Sequence, residues 1–396
     1  MLKGKTVIIG ISGSIAAYKM ADVVSTLVKN GCEVYVLMTK NATEFINPIT
    51  FETLTSHKCL IDTFDRNFNY NIEHVALADK ADVFLAAPAT ANIIGKLAGG
   101  IADDMLTTTA IACHCPKLIA PAMNSNMFTS PVVRANLEAL RGFGYEIIEP
   151  ESGHLACGTN GQGRLPSTDI LIEHICYAME FEKDMTGRRV LVTAGPTREH
   201  FDPVRYITNH STGKMGYAIA KVAMRRGADV TLIAGPTALP DPIHMNVIHV
   251  ETAQQMSDAV ESVCDEMDII VMSAAVSDYT PAVKHDSKLK KSDDIRQIEL
   301  KKTKDILARL GSRKRPGQFI CGFAMETEDL INNAKKKLSE KNADMIVANN
   351  LHQEGAGFGV DTNVMTLITK DGTNELPLMS KLDGAAKILD TIVSFF

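Results

Sequence analysis

Apolar residues fall along the chain in short dense runs separated by helical patterns. In the first half "VIIG", "VYVLM", "VFLAAP" and "KLIAPAM" are continuous rather than alternating, as in strands covered on both faces. Between the first two, Met20, Val23, Val24, Leu27 and Val28 recur at helical spacing, and Asn30 with Gly31 supplies a stop. Ser14 stands where it can cap that helix. A second series opens at "RRVLVTAGPTRE" and runs through "DVTLIAG", "DIIVMSAAV", "FICGFAM" and "DMIVANN". There Met215, Ile219, Val222 and Ala223 mark a helix that Gly227 ends. Strands alternating with helices predict a mostly parallel sheet with helices on both faces, built twice. The expected fold class is α/β, as two doubly wound domains over residues 1–183 and 184–396.

Composition narrows the function classes. A chain of 396 residues suits two domains of ordinary size. With 41 Lys and Arg against 47 Asp and Glu, the formal net charge is −6, which speaks against general nucleic-acid binding but not against a local basic pocket. No apolar run reaches the roughly 18 residues of a membrane span, so no membrane partner is expected. The start, "MLKGKTVIIG", enters a strand without the apolar segment and cleavage site of a signal peptide. The eight cysteines include no CxxC pair, and "CHC" at 113–115 is too tight for ordinary zinc spacing. Reduced, mostly buried thiols and a cytoplasmic location are therefore expected, and no metal ligand set is readable.

Ligands of such sheets bind beyond the carboxyl ends of the strands, where the polar motifs of this chain lie. "GISGSIAA" is not a full dinucleotide fingerprint. Gly10, Gly13 and Ser14 there suit a phosphate at a helix N-terminus, or a plain tight turn. "STGKMG" at 211–216 is not a Walker A loop, because Thr208 stands where its first glycine belongs and Met215 where its Ser or Thr belongs. In "APATAN" small residues would let a flat ring approach, with Thr90 and Asn92 to hydrogen-bond it; Thr90 could equally cap a helix. Asn124 in "PAMNSNMF" has the same two readings, cap or ligand. His74 in "NIEHVALAD" and the helix face "KKLSEK" carry no function by themselves.

Taken together these segments resemble a known family. "GSIAAYK", "NIEHVALA", "APATANIIGKLAGGIADDMLTT", "PAMNSNMF" and "LACG" stand in the order found in flavin-dependent cysteine decarboxylases. "TAGPTREHFDPVRYITNHSTGKMG", "SAAVSDYTPAV", "KLKK", "GFAMET" and "KNADMIVAN" resemble phosphopantothenate–cysteine ligase. The whole chain is similar to the fused bifunctional enzymes of coenzyme A biosynthesis. One departure is Phe128, where the family often has Trp.

The resemblance implies a flavodoxin-like flavoprotein half and a Rossmann-like ligase half. In the first, FMN would sit on Gly13, Ser14, Ile15, Thr39, Ala89, Thr90, Asn92 and Thr107. The thiol-bearing carbon of phosphopantothenoylcysteine would be oxidised to a thioaldehyde, so that CO₂ leaves to give an enethiolate. His74 would be the base, Asn124 would hold the carboxylate, Met123 would shape the pocket, and Cys157 would protonate the enethiolate from a glycine-rich flap. In the second half phosphopantothenate would attack the α-phosphate of CTP, with Mg²⁺, and cysteine would displace CMP from the acyl-cytidylate. Lys288 would be the active-site lysine. Asp278, Phe323, Lys337 and Lys341 would match the CTP site, Arg205 and Asn209 the acyl-cytidylate site, and Ala274 and Ala275 would line the substrate pocket. The partners implied are phosphopantothenate, cysteine and CTP, and copies of the chain joined through trimeric flavin halves and paired ligase halves. Three rival readings have less support. A peptidyl-cysteine decarboxylase or flavin prenyltransferase needs no ligase segment, a non-catalytic flavin-binding regulator needs neither His74 nor Cys157, and a NAD-dependent dehydrogenase would carry a full glycine fingerprint.

Overall fold

Each continuous apolar run forms a strand whose residues alternate between two cores. The structure, a computed structural model, describes residues 2–64, 73–156, 158, 160–289, 297–326, 329–350, 357 and 359–396. They form two units, Met1–Glu182 and Lys183–Phe396.

The first unit has strands β1 (Thr6–Ile11), β2 (Glu33–Met38), β3 (Val83–Ala89), β4 (Lys117–Pro121) and β5 (Tyr145–Ile147), followed by a hairpin of β6 (Glu151–His154) and β7 (Asn160–Arg164). Its helices are α1 (Met20–Lys29), α2 (Lys40–Thr43), α3 (Ile49–Thr55), α4 (Glu73–Lys80), α5 (Ala91–Ala98), α6 (Met105–Ala112), α7 (Ser125–Phe128), α8 (Pro131–Gly142) and α9 (Thr168–Met179). Strands β1 to β5 make one parallel sheet in the order β2-β1-β3-β4-β5. That is the flavodoxin-like order, with its switch point between β1 and β3. Val7, Ile9 and Ile11 join the core under α1, α3 and α9; Ile8 joins the opposite one under α5, α6 and α8. Helix α1 ends at Asn30 as the pattern predicts, with Gly31 at φ 83°. Ser14 does not cap it. The serine caps a single 3-10 turn, Ile15–Lys19, inserted before the helix.

The second unit has β8 (Arg189–Ala194), β9 (Arg198–His200), β10 (Tyr206–Thr208), β11 (Asp229–Ala234), β12 (Asn246–His249), β13 (Ile269–Met272), β14 (Tyr279–Pro281), β15 (Leu300–Lys302), β16 (Phe319–Glu326), β17 (Met345–Asn350), β18 (Thr362–Thr369) and β19 (Thr373–Ser380). Its helices are α10 (Lys214–Arg225), α11 (Ala253–Val263), α12 (Ile306–Arg313), α13 (Leu330–Glu340) and α14 (Lys381–Val393). The large sheet runs β12-β11-β8-β13-β16-β17-β18-β19. Its first six members are parallel in the Rossmann order, with the switch point between β8 and β13. The last two turn antiparallel and extend the edge, a hairpin that the reading of buried runs does not anticipate. Among the described residues no helix is long and apolar enough to cross a membrane.

Both switch points are tied by buried hydroxyls. Ser12, 1% exposed, donates to the Pro88 carbonyl (2.7 Å) and accepts from the Thr90 amide (3.0 Å). In the second unit Thr193 Oγ1 accepts from the Ala274 amide (3.1 Å) and Thr197 Oγ1 from the Ser277 amide (3.1 Å). Ser12→Ala takes the side-chain acceptor from the part-buried Thr90 amide and leaves the Pro88 carbonyl only the Ser12 amide, which costs about 1 kcal/mol. The expected result is faster amide exchange across residues 84–93 of the full chain. Unchanged exchange there would remove the hydroxyl from this role.

The second unit also closes on itself through charge. Arg226, whose side chain is 6% exposed, pairs with Asp184 before β8 (2.5 Å) and with Asp390 on α14 (2.9 Å). The Arg226 guanidinium holds the Asp184 carboxyl below its ordinary range. A depressed carboxyl stabilises the fold above its unfolded pKa, and that contribution is lost as pH falls below about 4. Arg226→Met leaves two largely solvated carboxylates without their partner and is expected to cost about 1 kcal/mol. Asp184→Asn should flatten the loss of thermal stability between about pH 5 and pH 3. Acid melting curves identical to wild type would show that the clamp is idle.

Candidate functional site

The first unit gathers its candidate residues around the β1–β3 switch point. The loop after β1 leaves as Ser12-Gly13-Ser14, and the Ser14 hydroxyl accepts from the Ala16 amide (3.3 Å). A methyl at Gly13 would lie 2.6 Å from the Asn41 Cβ, so only glycine lets this loop pass α2. Thr39 caps α2 through the Ala42 amide (3.2 Å), and its own amide donates to the Ile11 carbonyl (3.0 Å). Across the switch point Thr90 caps α5, Ala89 is buried and Asn92 is exposed. Thr107 is fully buried, and its hydroxyl bonds to Asp104 (3.0 Å) in a capping box. A crevice with small-residue walls and two helix starts fits the flat ring and phosphate of a flavin.

Beside it lies a cleft of about 550 Å³ lined by Ser14, Ile15, Lys19, Met123, Asn124 and Arg164, among others. Asn124 ends the β4 loop, and its side-chain oxygen accepts from the Asn126 amide (2.8 Å). Capping and lining the cleft are thus one geometry. The cap engages the oxygen, and the NH₂ group is the donor end of the side chain. The glycine-rich stretch is the β6–β7 hairpin, laid across this strand end. Gly163, at φ 140°, sits so close that a methyl would lie 2.2 Å from the Met123 carbonyl oxygen. The Met123 amide donates back to the Gly163 carbonyl (3.0 Å). Cys157 lies outside the described residues. His74 is half-buried in the first turn of α4, whose Leu77 and Ala78 face the core that holds α6. It is not among the residues lining the Asn124 cleft.

In the second unit two clefts meet at the β8–β13 switch point. One, of about 460 Å³, is lined by Asp278, Lys302, Lys304, Asp305, Lys337 and Lys341, among others. The other, of about 490 Å³, is lined by Asn209, residues 211–216, Ala275, Lys381 and others. Ala274, Asp278, Phe323 and Lys337 line both. Asn209 donates its amide to the carbonyls of Ala275 (3.3 Å) and Val276 (3.1 Å), and Lys337 donates to the Phe323 carbonyl (2.9 Å). Lys341 pairs with Asp305 (2.7 Å). Burial pushes the Asp305 carboxyl up, but Lys341 and the Ala308 amide outweigh it and hold it below the ordinary range. The "STGKMG" segment, correctly not a Walker A loop by its spacing, still presents the start of α10 to the second cleft. The readable signal was a glycine before a helical pattern, without the P-loop template.

Arg205 and Lys288 stand outside both cleft linings. The Arg205 guanidinium bonds to Asp202 (2.6 Å) and to the Leu289 carbonyl (2.8 Å). Asp202 is fully buried and also accepts from the amides of Val204 (2.8 Å) and Leu289 (3.3 Å). Burial pushes its carboxyl up, but Arg205 and these amides hold it well below the usual range. Arg205 therefore anchors the loop on which the exposed Lys288 precedes Leu289.

Comparison with known proteins follows the same division. The family model described as Flavoprotein matches residues 1–180, and that of the DNA/pantothenate metabolism flavoprotein C-terminal domain matches 185–396. The "Coenzyme A biosynthesis bifunctional protein CoaBC" of Bacillus subtilis (strain 168) is 48% identical over 398 residues, covering 100% of this chain and 98% of the relative. That of Vibrio vulnificus (strain YJ016) is 42% identical over 393 residues, 99% of this chain and 98% of the relative. A "Cysteine/Cysteine sulfinic acid decarboxylase" from an unknown prokaryotic organism is 43% identical over 355 residues, 88% of this chain and 99% of the relative. With both halves matched at this identity over its whole length, the chain belongs to the family of bifunctional coenzyme A biosynthesis proteins.

Proposed function

We propose that the two units catalyse consecutive reactions: the second joins phosphopantothenate to cysteine at the expense of CTP, and the first decarboxylates the product to phosphopantetheine. The observation that carries this reading is the pairing, in one chain, of an amide-lined cleft beside a flavin crevice with a lysine-rimmed double cleft.

Gly13, Ser14 and Thr90 would hold FMN noncovalently, and it would supply the hydride chemistry: oxidation of the thiol-bearing carbon and its reduction once CO₂ has left. The remaining steps fall to the chain. His74 accepts the thiol proton. The Asn124 amide orients the carboxylate without an ion pair. Its neutrality matters, because a full positive charge would stabilise the carboxylate before its charge is lost and so raise the barrier. Met123 walls the pocket, and Cys157 returns a proton to the enethiolate.

In the second unit CTP enters with its magnesium as co-substrate. Lys337 and Lys341 serve the nucleotide, Phe323 and Asp278 shape its pocket, and Asn209 positions the acyl group. Lys288 comes from its Arg205-anchored loop to neutralise charge developing on the α-phosphate.

Two variants separate the halves. Lys288→Gln keeps length and hydrogen bonding but removes the charge, and is expected to slow pyrophosphate release from CTP and phosphopantothenate by about 10²–10³. Decarboxylation of preformed phosphopantothenoylcysteine should persist. If Lys290→Gln or Lys291→Gln fails while Lys288→Gln works, the lysine is misassigned. Cys157→Ser replaces a thiol with a much weaker acid and is expected to stall after CO₂ loss, with an enethiol species visible by mass spectrometry. Full conversion to phosphopantetheine would remove Cys157 from the mechanism.

A further inference from the structure

The cleft beside Asn124 contains two cations that the steps above do not use. Lys19 closes the 3-10 turn after β1, and Arg164 ends β7 of the hairpin. Both line the same cleft as Met123 and Asn124, and among the described residues no carboxylate lines it. Lys19 is half-buried, and among the described residues its ammonium makes no hydrogen bond or ion pair. Burial, and then the nearby Arg164 charge, push its pKa down; Glu151 opposes them more weakly. Arg164 reaches Glu151 only at 3.9 Å, and that carboxylate already accepts from the Ser167 amide (3.0 Å). Two like charges thus share a cleft with one loosely engaged counter-charge at its edge. Lys19 is half-buried and Arg164 exposed, so solvent screens much of their repulsion, and an anion bound to both would relieve the remainder.

We infer that Lys19 and Arg164 form the subsite for the phosphate monoester that the decarboxylase substrate keeps through the reaction. The inference rests on the decarboxylase reading above. That substrate is anionic at both ends. Its carboxylate loses its charge in the reaction, whereas its phosphate carries the same charge before, during and after. A cation at the carboxylate would deepen the ground state; a cation at the phosphate binds ground and transition states alike. The division of polar groups in the cleft follows this rule, with a neutral amide for the departing charge and a lysine–arginine pair for the constant one. Arginine's planar fork and lysine's point charge are the usual pair of donors for such a dianion.

The test uses the full-length flavin-loaded protein with phosphopantothenoylcysteine and with its dephosphorylated analogue, pantothenoylcysteine. Lys19→Gln and Arg164→Gln are each expected to raise KM for the phosphorylated substrate on the order of tenfold, with kcat within about twofold. The analogue's KM should be the same in wild type and variants, flavin content should stay at the wild-type level, and Lys19→Arg should restore most of the loss. If both substrates weaken equally, the cations have a structural role and the inference is overturned. Loss of flavin with an unchanged substrate ratio would assign them to the cofactor's phosphate and overturn it too. Wild-type turnover without preference for the phosphorylated substrate overturns this inference alone; no wild-type turnover of either substrate overturns the decarboxylase reading and this inference with it.

Discussion

At the switch point of a doubly wound sheet the chain must leave two adjacent strands in opposite directions. The helix after one strand packs on one face and the helix after its neighbour on the other, so the loops part and open a crevice. The backbone groups lining that crevice lose their ladder partners and still need them. Here the deficit is met by hydroxyls with almost no solvent exposure: Ser12 in one unit, Thr193 and Thr197 in the other. They hold the crevice open to a fixed width without filling it. In each unit they tie the loops that leave the two strands flanking the crevice.

The two crevices then diverge in charge. The second unit places Lys302, Lys304, Lys337, Lys341 and Lys381 along its clefts, which makes them suited to an anionic ligand. The first lines its cleft with the Asn124 amide together with Lys19 and Arg164. One reaction builds negative charge on transferring phosphorus and the other disperses it from carbon. The same fold serves both because its loops, not its sheets, carry the difference.

The strands at the centre of both sheets were legible because burial on both faces forces a continuous apolar run, as in "VIIG" and "FICGFAM". Helix α1 was legible to its last turn from five apolar residues and an Asn-Gly stop. The β18–β19 hairpin was not read, since an edge pair buries only part of its side chains and its pattern is diluted with polar residues. Ser12 was invisible because its partners, Pro88 and Thr90, are more than seventy residues away and meet it only through strand pairing. Lys19 and Arg164 were missed for the same reason, as each is an ordinary surface cation until the hairpin folds over β4. Asn124 stood out as a polar tip, and its two readings proved compatible: a side chain capping α7 also lines the cleft. Thr107, expected at the cofactor, has a hydroxyl that completes the cap of α6.

The central claim is that the product of one cleft is the substrate of the other, with cysteine's carboxylate leaving only after its amine is acylated. It is tested most directly by supplying the purified protein with carboxyl-labelled cysteine and measuring labelled CO₂ together with pyrophosphate. Label should appear only when both phosphopantothenate and CTP are present, with one CO₂ per pyrophosphate at completion. Labelled CO₂ released from cysteine alone, at a comparable rate, would contradict the account and make the chain a decarboxylase of the free amino acid.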